Sequence, residues 1–156
     1  MPNILVMTVG LPRSGKSTWA RSTQMPIVSP DAVRKAMHGQ DYLSRTEPLV
    51  WGVARTMVHS LFGAGHEVVI LDACSHTVAR RNDWRSQSWQ RVFYPLCTDA
   101  AECKRRATAD CREDLLLVIE RMEAAYEGLT GQELAESSAN LFACEELMNA
   151  AWNVGR

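Results

Sequence analysis

The densest chemistry in this 156-residue chain lies in Gly10-Leu11-Pro12-Arg13-Ser14-Gly15-Lys16-Ser17-Thr18, which fits the pattern G-x-x-x-x-G-K-[ST]. Glycines at those positions let the backbone curl until successive N–H groups and a helix N-terminus face one anion. Lys16 then adds a point charge on the β- and γ-phosphates of a nucleoside triphosphate, and Ser17 offers its hydroxyl to Mg²⁺. Gly10, Pro12, Arg13, Ser14, Gly15, Lys16, Ser17 and Thr18 are therefore read as an ATP-binding loop. A turn that bound nothing would need neither the lysine nor the hydroxyl.

Three further groups could complete the chemistry. Val68-Val69-Ile70-Leu71-Asp72 is an apolar run closed by a carboxylate, the form in which an aspartate holds Mg²⁺ directly or through water; the plainer reading is a turn or helix-capping aspartate. Asp31 and Arg34, three apart, share one face of a helix's first turn, where an aspartate can take the proton of an incoming hydroxyl and an arginine can bind an acceptor phosphate or spread transition-state charge. Here the plainer reading is an N-cap beside a surface arginine. Lys104, Arg105, Arg106 and Arg112 place cations near the end of a later helix, as an arginine lid over a nucleotide would, or as a solvated face would. His38, His59, His66 and His76 show no pairing with a nucleophile and read as structural, His76 being nearest the motifs. The five tryptophans read as core, with Trp84 or Trp89 as possible cleft walls.

The spacing of apolar residues predicts the elements that must hold these groups. Ile4 to Val9 reads as a buried strand running into the loop, and Lys16 to Gln24 as the first helix. Ile27-Val28 is a minimal strand, and Ser29-Pro30-Asp31 opens a helix over about residues 32–38 that stops at Gly39, followed by a polar loop to Thr46. From Glu47, apolar pairs recur every four residues as far as Phe62. Val68 to Leu71 is a strand, residues 77–89 a helix, Val92 to Leu96 a strand, and residues 100–109 and 114–127 two helices; residues 131–156 give no clear signal. Strands alternating with helices imply an α/β fold with a parallel sheet flanked by helices, whose crevice lies at the strands' carboxyl ends. Gly10, Asp31 and Asp72 all fall there.

Length and composition agree with one compact domain over residues 1–156. The net charge of −1 hides an asymmetry: residues 1–112 carry 15 basic against 9 acidic groups, residues 113–156 carry 2 against 9. A site for anions in the first part and an acidic helical tail follow, without the footprint of a general nucleic-acid binder. Five irregularly spaced cysteines and no zinc-type cluster indicate reduced thiols in a cytoplasmic protein, and the six-residue apolar start is too short for a signal peptide or membrane span.

On these motifs the chain resembles the bacteriophage-type 5′-polynucleotide kinases, a branch of the small P-loop kinases. The resemblance rests on Ile4 to Arg21, on Ser29-Pro30-Asp31-Ala32-Val33-Arg34, on Val68 to Asp72 followed by Arg80-Arg81-x-x-Trp84, and on Cys103-Lys104-Arg105, roughly residues 3–129. It implies a three-layer P-loop kinase fold with an arginine-bearing lid, Asp31 as general base for a 5′-hydroxyl, Arg34 on the acceptor's phosphate, and Lys16 and Ser17 on ATP and Mg²⁺. Three departures stand out. Arg13 replaces a loop glycine, Ala73-Cys74-Ser75 replaces a threonine- or asparagine-bearing turn, and the lid arginines are displaced: four residues after Arg105 stands Ala109, leaving Arg112, or Arg106, as the substitute. No D-x-D-x-[TV] phosphatase motif occurs.

The expectation is transfer of the γ-phosphate of ATP to a hydroxyl, with Lys16, Asp31, Arg34, Arg105 and Arg112 as the catalytic set, Arg106 on ATP, and Ser17 and Asp72 on the metal. The acceptor implied by the resemblance is the 5′-end of DNA or RNA; a nucleoside, sugar or antibiotic hydroxyl keeps the chemistry and changes the partner. A nucleotide-dependent switch is the third class, and no N-K-x-D guanine-reading motif supports it.

Overall fold

The computed structural model describes residues 2–39 and 42–154, and side chains as far as residue 151. Four parallel strands, β1 (Ile4–Val9), β2 (Ile27–Val28), β3 (Val68–Leu71) and β4 (Gln90–Pro95), form one sheet in the order β2-β3-β1-β4. β1 is central because every one of its six residues is buried, which only a strand covered on both faces can afford.

Alternation along the strands builds two cores. Leu5, Met7 and Val9, with Val69 and Leu71, point to the face covered by α3 (Glu47–Gly63), through Ala54 and Val58, and by Trp84 and Trp89. Ile4, Val6, Val68, Ile70 and Val92 point to the other face, met by Ala20 of α1 (Lys16–Ser22) and by Cys144 and Leu147 of α7 (Gly131–Val154). A third cluster, Leu11, Cys103, Ala107 and Ile119, seats α5 (Ala100–Ala109) and α6 (Leu116–Ala124) beneath the loop that follows β1. Helices on both faces of a parallel sheet are what the alternating pattern implies. α2 (Pro30–His38) follows β2.

Three expectations need correcting. The helix expected over residues 77–89 is only α4 (Val78–Asn82): the Ser86 hydroxyl accepts from the Ser88 N–H at 3.0 Å, and the Trp89 indole donates to the Trp84 carbonyl at 2.9 Å, local bonds that compete with helix continuation. The helix expected over 114–127 begins with a 3₁₀ turn, Glu113–Leu115, and ends at Ala124. Residues 131–154, expected only as part of a solvated acidic helical tail, form the 24-residue α7, which is helical but packs on the sheet through Cys144 and Leu147. This helix guards the outer edge of β4: Ser137 Oγ accepts from the Phe93 N–H at 3.0 Å, and Glu136 pairs with both guanidinium ends of Arg91, at 2.9 and 2.6 Å. The polar loop expected before Thr46 lies partly outside the described residues; its described end is a 3₁₀ turn, Ser44–Thr46. No described helix is long and apolar enough to cross a membrane.

Candidate active site

The loop after β1 is shaped by steric necessity. A Cβ on Gly10 would lie 2.7 Å from Ser14 Oγ and 3.1 Å from the Leu96 carbonyl, so no side chain fits there, and the Gly10 N–H is tied to the Cys74 carbonyl at 2.9 Å. Gly15 is left-handed (φ 101), and so is Arg13 (φ 66), which explains why a glycine is usual at position 13 and what the arginine must bear. Arg13 forms an ion pair with Asp110, and its carbonyl accepts from Arg106 Nη1 at 3.3 Å. The Thr98 hydroxyl, beyond β4, donates to the Ser14 carbonyl at 2.9 Å. Ser14 Oγ is buried with no partner among the described residues, and Lys16 Nζ folds back on the Leu11 carbonyl at 2.6 Å. A lysine folded back on its own loop beside an orphaned hydroxyl leaves donors that an anion could engage. Thr18 is exposed on the first turn of α1, and Pro12 is half-buried in the loop.

Ser17 Oγ donates to Asp72 Oδ2 at 2.6 Å. The Asp72 carboxylate is thus turned to the loop and caps no helix, the plainer reading the sequence allowed. A hydroxyl and a carboxylate side by side are hard oxygen donors; no described group of three or more His, Cys, Asp or Glu could cage a metal. Such a pair suits Mg²⁺, which keeps waters and takes its remaining ligands from substrate phosphates.

The N-cap of α2 is Ser29, whose hydroxyl accepts from the Ala32 N–H at 3.3 Å, with Pro30 in the first turn. Asp31 is therefore free of capping: its carboxylate is 82% exposed and is met by Arg34 Nη1 at 2.5 Å. Arg34, by contrast, has a side chain only 12% exposed, because Glu47 at the start of α3 grips it through Nε (2.7 Å) and Nη2 (2.8 Å). The Trp51 indole donates to the same carboxylate at 3.2 Å and lies under the guanidinium, 5.8 Å from ring centre to Cζ. Hydrogen bonds from Arg34 hold the Glu47 carboxyl below the ordinary carboxylate range; burial would lower the Arg34 pKa, but Glu47 and Asp31 together raise it.

Between Lys16 and Asp31 sits Cys74, in the turn after Asp72. Burial pushes its thiol up, Lys16 opposes that shift, and Asp31 adds to it, so one group feels both. Ser75 in the same turn is left-handed (φ 46), and its carbonyl accepts from Arg81 Nη1 at 2.9 Å. Arg81 is fully buried, bonded through Nε to Glu133 at 2.8 Å and through its other nitrogens to the carbonyls of Glu127 (3.0 Å) and Gly128 (2.9 Å). It ties the turn to the segment leading into α7. His76, expected to be structural, gives its carbonyl to the Glu127 N–H at 2.8 Å; burial, then Arg80 and Arg81, push its pKa down.

The basic segment splits. Arg106 reaches the loop, near the Arg13 carbonyl and Gly15, while also bonding Glu102 at 2.8 Å. Arg105 turns outward, 68% exposed, onto both oxygens of the same Glu102 (2.7 and 2.8 Å). Arg112 pairs with Asp114 at 2.8 and 2.9 Å. The expected set is thus brought together in part: Ser17 and Asp72 meet directly, Lys16 turns instead to the Leu11 carbonyl, Asp31 and Arg34 meet each other, and of the α5 arginines Arg106 stands at the loop. Glu47 and Trp51 escaped the sequence reading, and Arg80 and Arg81 entered it only as part of the Arg80-Arg81-x-x-Trp84 motif, without a role; only the pairing of Arg34 with a carboxylate at the next helix start could have flagged Glu47.

A family described as an AAA domain matches residues 5–129. No functionally curated protein matches the sequence. Among solved structures, a chain of the Pnkp1/Rnl/Hen1 complex superposes with a TM-score of 0.61 and 24% identity, over 67% of this chain and 38% of its own. A chain of the Pnkp1/Rnl/Hen1 RNA repair complex gives 0.62 and 18%, over 92% and 45%. A gluconokinase from Sinorhizobium meliloti 1021 gives 0.58 and 15%, over 97% of both chains. The chain thus spans less than half the length of the two repair-complex chains it matches. At these identities the likeness is one of fold, a parallel sheet between helices of the P-loop kinase type.

Proposed function

Since the chain belongs to this AAA-domain family of P-loop proteins, we propose that it is an ATP-dependent kinase, one P-loop kinase domain in extent, that phosphorylates the 5′-hydroxyl of a polynucleotide. The observation that carries the reading is Asp31: a carboxylate relieved of capping by Ser29, exposed in the crevice, and bracketed by an arginine that Glu47 and Trp51 hold in place.

In this reading Asp31 accepts the proton as the hydroxyl oxygen bonds to the γ-phosphorus, the bond from that phosphorus to the β–γ bridging oxygen breaks, and ADP leaves. Arg34 binds the phosphate on the 3′ side of the acceptor nucleoside and so aims the 5′-hydroxyl at Asp31. Lys16 leaves the Leu11 carbonyl for the β- and γ-phosphates, and the loop N–H groups take the others. Ser17 and Asp72 would hold Mg²⁺, which would neutralise part of the negative charge on the triphosphate. Arg106, at the loop, and Arg105 and Arg112, beyond it, are assigned to the charge that spreads over the transferring group.

A small hydroxylated metabolite is the second reading, favoured by the end-to-end correspondence with a gluconokinase. Transfer of labelled γ-phosphate to 5′-hydroxyl DNA and RNA oligonucleotides, beside a panel of nucleosides and small alcohols, decides between them. Labelled oligonucleotide with the parent protein, lost in Asp31→Asn, is the expected result; label on a small acceptor alone would overturn the polynucleotide reading.

A further inference from the structure

Next to Arg34 and Glu47 an open groove of about 450 Å³ runs between α3 and the α4 turn, lined by Pro48, Trp51, Gly52, Arg55, Arg80 and Trp84. Its cations are laid on its aromatic rings. The Arg80 guanidinium lies 5.3 Å from the centre of the same Trp51 ring that supports Arg34, and Arg55 lies 4.8 Å from the Trp84 ring. Trp51 and Trp84 meet edge to face with ring centres 6.4 Å apart, so the three arginines are spaced along one connected aromatic support. Two carboxylates face them: Glu47, occupied by Arg34, and Asp83. Among the described residues no carboxylate lies in ion-pair contact with Arg55 or Arg80; Arg55 instead donates to the Asp83 carbonyl, and Arg80 is exposed. Gly52 leaves the floor open, since a Cβ there would meet nothing within 4 Å.

Guanidiniums with no carboxylate in ion-pair contact, fixed on indole faces in a groove that begins beside Arg34, suit an anion that repeats along a chain. A small acceptor is complete at Asp31 and Arg34 and has no group to send along α3. We infer that this groove is a polynucleotide subsite: Arg80, then Arg55, bind the backbone phosphates that follow the acceptor nucleotide on its 3′ side. The inference rests on the polynucleotide reading above and adds to it where the strand leaves the crevice. A strand passing Arg34 meets Arg80 first, because both cations share one indole.

The experiment compares kcat/KM for a nucleoside 3′-monophosphate and for a 5′-hydroxyl hexanucleotide, in the parent protein, in Arg80→Gln and in Gly52→Leu. Arg80 is exposed, and leucine is a better helix former than glycine, so neither change threatens the fold. The parent should favour the hexanucleotide, and each variant should cut that preference roughly tenfold, Arg80→Gln by losing a phosphate contact and Gly52→Leu by filling the groove. The salt dependence of hexanucleotide binding should lose close to one phosphate's worth of slope in Arg80→Gln. Hexanucleotide phosphorylation with preference and salt slope unmoved in both variants would overturn the groove while leaving the polynucleotide reading intact. Phosphorylation of small alcohols alone would overturn both.

Discussion

Arg34 on one side of the crevice and the arginines of the α5 segment on the other are all within reach of carboxylates, but the carboxylates come from different places. Arg34 is gripped by Glu47, thirteen residues away on another helix, and is backed by Trp51. Arg105, Arg106 and Arg112 take theirs from two to four residues away, on Glu102 and Asp114, at the protein surface. A contact between two elements fixes a side chain relative to the site, whereas a carboxylate within one turn fixes it only locally; Arg106 adds to its local pair a bond of 3.3 Å to the Arg13 carbonyl. Exposed pairs of the second kind contribute little and yield readily to a competing anion. On the proposed function, the acceptor side would be pre-formed, and the nucleotide side would be held mainly by weak local pairs that a triphosphate could displace.

The harshest test of that contrast is Arg34→Lys. Lysine keeps the charge but cannot bridge Glu47 and Asp31 with a planar fork, so acceptor kcat/KM should fall roughly a hundredfold while KM for ATP stays within about twofold. A comparable rise in ATP KM would mean that Arg34 serves the nucleotide instead.

Glu47→Gln attacks the same contact from its support and should be milder, a rise in acceptor KM of about tenfold with a stability loss of about 1–2 kcal/mol for charge-assisted bonds that are partly exposed. The pH dependence has a definite sign. Because Arg34 depresses the folded pKa of Glu47, its contribution is present above the ordinary carboxylate value of 4.5 and disappears as pH falls through the lower folded value. Acid unfolding of the parent and of Glu47→Gln should therefore diverge at neutral pH and converge in acid.

On the nucleotide side, Arg106→Gln should raise KM for ATP about fivefold, because Arg106 alone of the α5 arginines touches the described loop, while Arg105→Gln should change it less than about twofold. Equal effects would show that α5 rearranges enough to bring Arg105 in.

What was legible in the sequence follows the same division between local and long-range information. The loop from Gly10 to Thr18, the strands and α3 are written in short-range patterns, a glycine spacing or a recurring apolar pair, and each appears near where the spacing puts it, β4 running from Gln90 to Pro95 where Val92 to Leu96 was expected. The Asp31 and Arg34 pair was legible because three residues on a helix start are necessarily neighbours. Glu47 was not, since nothing in the local sequence says which helix start α2 will lie against. The buried Arg81 and Glu133 pair joins residues 52 apart, and α7 lacks a clean apolar stripe because it serves a sheet face with Cys144 and Leu147 and a strand edge with Ser137 and Glu136. The shortened α4 failed for the opposite reason, since side-chain bonds to nearby backbone groups overrode an acceptable helical pattern.

The smallest effect is the most diagnostic of a nucleotide side held back. Glu102 accepts from both Arg105 and Arg106, and those bonds depress its pKa from 4.5 to about 2, so it carries full charge at every pH where a kinase assay is run. Moderate acid cannot release the arginines; only substitution or screening can. Glu102→Gln should free Arg106 for the triphosphate and lower KM for ATP about two- to threefold at low salt, and the advantage should fade as salt weakens the parent's exposed pairs. Improvement on removing a charge is the signature of a competitor. A rise in KM would instead mark Glu102 as the residue that aims Arg106 at the loop, and both sides of the crevice would then count as pre-formed.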